Sequence, residues 1–125
     1  MTDRNLEQLK EFTQQWVRRL EGDTSVDEKV ENTAVLISFM RPPEYQWAFI
    51  MAAMEIAETK DSLVAIAAGP VEHLLANHGD AYIDAVEVEA RSSPKFGRML
   101  NGVWKNAMSD AIWARIQALQ TNAET

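Results

Sequence analysis

The chain has 125 residues, no cysteine and a net charge of −7. Without cysteine there can be no disulfide, thiol nucleophile or thiolate metal site. The negative balance opposes nonspecific attraction to nucleic acid or to anionic lipid, both of which need a positive face. A chain of this length fits one domain, 1–125, that buries about two-thirds of its unfolded surface and needs no cofactor to complete its core.

The acidity is uneven. Residues 61–92 hold 6 acidic groups and 1 basic one, whereas residues 93–125 hold 2 and 4. A basic protein is therefore the favoured kind of partner. The opening MTDRNLEQLK has no apolar signal-peptide core, and no apolar run reaches the roughly 20 residues of a membrane span. The expected location is cytoplasmic, with no membrane or nucleic-acid partner.

Leu6, Leu9, Phe12, Trp16, Val17 and Leu20 recur at helical spacing and predict a first helix over Asp3–Leu20, stopped at Gly22. Ser25 and Glu28 have the spacing of a capping box for a second helix. Its buried face holds Val26, Val30, Ala34 and Ile37, widened by Val35, Leu36 and Phe39. Arg41-Pro42-Pro43 stops it. A third helix over residues 44–58 is apolar nearly all round, which places it centrally, with Glu55 and Glu58 on its exposed side.

Leu63–Gly79 reads as two short helices meeting at a Gly69-Pro70 corner. Asp61 is the expected cap of the first. Gly69 can end a helix in the left-handed conformation and Pro70 can open the next, which runs to Gly79 with Val71, Leu74, Leu75 and His78 on one face. Asp80 then caps a helix that buries Tyr82, Ile83, Val86 and Ala90. Ser93-Pro94 starts a short helix with Phe96, Met99, Leu100 and Val103, and Ser109 caps a last one with Ile112, Trp113, Ile116 and Leu119. Residues 121–125 are expected to fray. Pro43, Pro70 and Pro94 are each placed at a helix start.

Ala67-Ala68-Gly69-Pro70-Val71-Glu72-His73-Leu74-Leu75, His78-Gly79 and Gly102-Val103-Trp104 together resemble a bacterial all-helical family of unknown function, over about Trp47–Trp113. The paired short helices also resemble HEAT-type repeats. The resemblance implies a fold and attaches no activity to any residue.

Two sets of residues are candidates for function. Asp80, Asp84 and Glu87 stack at i, i+4 and i+7 as an acidic ridge, partly offset by Arg91. The structural reading of such a ridge is a solvated face; the functional one is a contact for a basic protein. Glu72 and His73 form the second candidate, a polar site. Glu72 suits a helix first turn, which alone could explain it, and its place in the chain leaves room for a second role such as an ion pair to Arg98 or Lys105. His73 is placed towards solvent. His73 and His78 are five residues apart, about 140° on a regular helix, so no shared metal is expected.

No phosphate loop, nucleotide fingerprint, metalloprotease helix or nucleophile elbow occurs. The expectation is an all-α domain of seven or eight short helices in stacked antiparallel pairs, HEAT-like or an irregular bundle, without cofactor or metal, as monomer or homodimer. The leading functional reading is a non-catalytic interaction module for a basic partner, such as an antidote-type inhibitor. The alternative is a small-molecule-binding or hydrolytic protein with a cleft near Glu72 and His73.

Overall fold

The first apolar stripe folds as expected. In the computed structural model, which describes residues 2–120, α1 spans Asp3–Leu20 and buries Leu9, Trp16 and Val17. The Thr2 side chain accepts from the Asn5 N–H at 3.2 Å. Buried Thr13 donates its hydroxyl to the Leu9 carbonyl at 2.7 Å, so it carries no desolvation penalty. Gly22, at φ 105°, turns the chain away.

The second helix, α2 (Lys29–Met40), begins differently from the expectation. Ser25 is engaged by Asp23 through both its N–H and its hydroxyl. Asp27 instead receives the Lys29 N–H at 2.9 Å. Val30, Ala34 and Ile37 are buried as predicted, but Val35, Leu36 and Phe39 are exposed. A buried face that wide would need covering on both sides, and among the described residues this side of α2 is left largely uncovered.

Helix α3 (Pro43–Ile56) stops two residues earlier than expected. Phe49 and Ile50 are fully buried, and Trp47 lies half-buried against Tyr82 and Phe96 at ring separations of 5.7 and 6.3 Å. Next come α4 (Lys60–Ile66), a π-helical turn (Ala67–Val71) and α5 (Glu72–Ser92). Thr59, not Asp61, caps α4, in a reciprocal box with Ser62. The carboxylate of Glu21 completes that cap from the end of α1. One of its oxygens receives the Glu58 N–H at 2.7 Å, the Thr59 N–H at 2.9 Å and the Ser62 hydroxyl at 2.7 Å.

The Gly69-Pro70 corner does not stop a helix. The backbone widens into a π turn in which the Glu72 N–H reaches the Ala67 carbonyl five residues back. The wider turn accommodates Pro70, which lacks an N–H and whose ring would crowd the carbonyl four residues earlier in a regular helix. Nor does the chain end a helix at Gly79. It kinks one residue earlier, at His78 (φ −137°, ψ 30°), and continues to Ser92, so Asp80 lies inside a helical run rather than capping one.

Helices α6 (Pro94–Leu100) and α7 (Asp110–Leu119) start where expected, with the Ser93 and Ser109 hydroxyls accepting from Phe96 and Ile112 N–H groups, each at 3.2 Å. Counting the uninterrupted run from Lys60 to Ser92 once, the described residues form six helices and no strand. The expected seven or eight is slightly high because two of the predicted stops are bends. The predicted fraying of residues 121–125 lies outside the described residues.

The arrangement is an irregular bundle. α1 packs most extensively on α3 rather than on its neighbour α2, and α5 packs on α6 and α7. The π turn sits where α2, α3, α4 and α5 meet.

Two glycines in this run make opposite predictions. A methyl group at buried Gly79 would stand 3.0 Å from Ile112 Cγ1, and Ile112 is itself buried. Overpacking costs about 1–3 kcal/mol, against about 1 kcal/mol gained from the helix propensity of alanine. At Gly69 the added methyl meets nothing within 4 Å and the backbone is not left-handed. Gly79→Ala should therefore lower the urea midpoint and Gly69→Ala raise it, the latter by about 0.5–1 kcal/mol.

Candidate functional site

The two predicted sets of residues lie on either side of the kink in α5, Glu72 and His73 in its first turn and the acidic ridge beyond His78. The acidic ridge is already engaged within the fold. Arg115 on α7 donates to Asp84 Oδ1 at 2.6 Å and to Glu87 through Nε at 3.0 Å, with a second bond to the other Glu87 oxygen. Arg115, not Arg91, is the hydrogen-bonded partner of Glu87, and its bonds hold the Glu87 carboxyl below its usual range. Two of the ridge's three carboxylates thus clamp α5 to α7. Asp80 stands apart, exposed beside the kink, in a depression with His78 and Ile112.

Glu72, by contrast, is buried, with 7% of its surface exposed. The alternative ion pair, to Arg98 or Lys105, does not form: neither lies within ion-pair distance of Glu72, and Lys105 pairs with Asp110. Glu72 Oε2 accepts the Trp104 backbone N–H at 3.0 Å, and Oε1 accepts from the Asn106 amide. Asn106 reaches it from a left-handed backbone, φ 42°. That conformation is costly for most residues and is tolerated best by Asn among those with a side chain. Burial pushes the Glu72 carboxyl above its ordinary value, and the two hydrogen bonds pull against it.

His73 does not point freely into solvent. Its ring lies half-buried against Phe39, with centroids 4.2 Å apart, and the Asn77 amide donates to the His73 carbonyl at 2.9 Å. Burial, and then the charge of His78, hold the imidazole below the usual histidine value. Among the described residues no three His, Asp or Glu side chains converge to hold a metal.

These groups line a groove of about 260 Å³ between α2, the π turn and the loop before α7. Glu72 and Ser38 are its buried polar groups; Val35, Phe39 and Gly69 form apolar wall. A larger depression of about 530 Å³ lies between α1, α3 and the start of α6. Among the described residues none of the buried polar side chains lines it, and its Lys10 and Lys95 are matched by Glu55 and Glu89. The smaller groove therefore has the chemistry of a site: buried polar groups in its lining, a π turn and a left-handed Asn, features that gather where backbone is held for function.

Phe39, Trp104 and Asn106 were not legible as site residues. Phe39 fits a core position by spacing, and Asn106 carries only the weak signal that Asn favours left-handed turns.

Fold and site together define an all-α domain with a polar-floored groove. The chain belongs to a family of unknown function (DUF6869), which matches residues 20–124. Every element lining the groove falls inside that span, which is wider than the resemblance suggested. Neither the curated proteins nor the solved structures yield a match. No helix among the described residues is long and apolar enough to cross a membrane.

Proposed function

We propose that the protein is a non-catalytic binding module whose site is the groove beside Glu72, and that it works in a reducing, cytoplasmic setting. One observation carries this reading: a buried carboxylate held by two neutral donors lines an open groove. Folding alone gains little from placing a charge there, because desolvation costs more than neutral donors return. The acidic ridge supports partner binding less well, since Arg115 already engages Asp84 and Glu87. The basic partner expected from the charge balance is better served by the groove.

Amide chemical shifts recorded while titrating a library of small-molecule fragments and tripeptides test the proposal. Shifts should cluster on Ala68, Gly69, His73 and Asn106, and Ala68→Trp, which fills the groove from an exposed position, should abolish them. Shifts confined to Asp80 and Asp84, or none with any compound, would overturn it.

A further inference from the structure

We infer that the groove takes an arginine side chain from a protein partner, with the guanidinium on Glu72 and its plane against Phe39. This rests on the groove being the binding site, and adds what enters it.

Charge gives the first step. Among the described residues lining the groove, the ionisable groups are Glu72 and His73, with no lysine or arginine. No cation among the described residues lies within ion-pair distance of Glu72. A carboxylate offers about four lone-pair positions, and each Glu72 oxygen receives one bond from a neutral donor. Both bonds are donated to Glu72 by N–H groups, which suit the ionised form. A cation is the ligand that gains most from a buried, unneutralised carboxylate with free lone pairs.

The walls give the second. Phe39 is 67% exposed yet braced by the His73 ring. Phe39 is thus an aromatic face held in place at the groove's edge, beside Glu72 and His73. A planar guanidinium forks onto a carboxylate and stacks on an aromatic face, whereas an ammonium does neither as well.

The surroundings choose between a free small molecule and a protein. The apolar surface does not end at the groove. From Val35 and Phe39 it continues along α2 through Leu36 and Met40, 53% and 75% exposed. Together these four residues present more apolar surface than a small cation can cover, so flanking residues of a partner chain fit it better. The net charge of −7 favours encounter with a basic partner.

The test uses three probes on the full chain, followed by amide shifts. They are the peptide Ac-Leu-Arg-Leu-NH2, the same peptide with citrulline in place of arginine, and butylguanidinium. Citrulline keeps size and shape but removes the charge. The arginine peptide should shift Gly69, Trp104 and Asn106, and bind at least about tenfold more tightly than either other probe. Glu72→Gln should remove most of that preference. Phe39→Ala, at an exposed position that leaves the core intact, should weaken the arginine peptide independently. Equal affinity for the arginine and citrulline peptides, with shifts in the groove, would overturn the cation while leaving the groove as the site. Shifts outside the groove with all three would overturn both readings. Butylguanidinium binding as tightly as the peptide would assign the site to free small cations and overturn the protein partner.

Discussion

Replacing Phe49 by alanine is expected to cost about 3–5 kcal/mol. Phe49 is fully buried at the contact of α1 with α3, its ring 5.0 Å from Trp16 and 6.1 Å from Phe12. The flanking rings belong to one helix and cannot both close on the void without breaking the stripe that includes Leu9 and Val17. The cavity therefore persists and adds to the lost transfer energy. Against a typical stability of about 5–15 kcal/mol this is a large share, and it should lower the melting temperature by roughly 10–20 °C. Phe12→Ala, at a partly buried site on the same contact, serves as the comparison and should cost clearly less. Urea unfolding of both variants checks the ranking; equal losses would mean that the interface relaxes around Phe49.

That contact was readable because α1 repeats its apolar residues on one face and α3 is apolar all round, so each had to be buried. The serine caps of α6 and α7 were readable for a similar local reason. The failures share a different cause. Gly69-Pro70 and His78-Gly79 have the local chemistry of helix ends, yet the chain passes through both as bends. At the first, Ala67 and Val64 pack closely on Gly102, whose added methyl would stand 3.2 Å from Ala67 Cβ; at the second, Gly79 packs on Ile112. Contacts formed far along the chain thus outweigh the local preference to stop.

The site was half legible for the same reason. Glu72 and His73 stood out because they lie in the recognisable motif, but nothing local pairs Glu72 with Trp104 and Asn106, 32 and 34 residues ahead, or His73 with Phe39, 34 behind. The pairing of the ridge was not legible because Arg115 is 28 residues from Glu87, beyond the reach of any helical spacing rule.

Two buried or partly buried glutamates should respond to pH with opposite signs. Glu21 caps α4: burial alone would raise its carboxyl, but the bonds from Ser62, Glu58 and Thr59 together hold it below the ordinary 4.5. A lowered value means that its contribution is complete above pH 4.5 and is lost as the pH falls through the folded value. Glu72 is raised above 4.5, chiefly by burial. Its contribution is complete below pH 4.5 and is lost as the pH rises through the folded value. Glutamine removes the titration in each case. Glu21→Gln should thus be destabilised relative to the wild type at neutral pH, by about 1 kcal/mol as for a lost cap, and the deficit should shrink on acidification below pH 4.5. Glu72→Gln loses one bond at every pH, because its amide nitrogen cannot accept from Trp104 or Asn106. Its deficit should instead shrink as the pH rises above 4.5, where the wild type begins to bear a buried charge. Urea midpoints across the acid range separate the two, and a Glu72→Gln curve parallel to the wild type above pH 4.5 would show that the carboxylate is not desolvated as the groove requires. The same desolvation makes Glu72 receptive to a cation: a ligand that neutralised it would offset the cost that folding leaves standing.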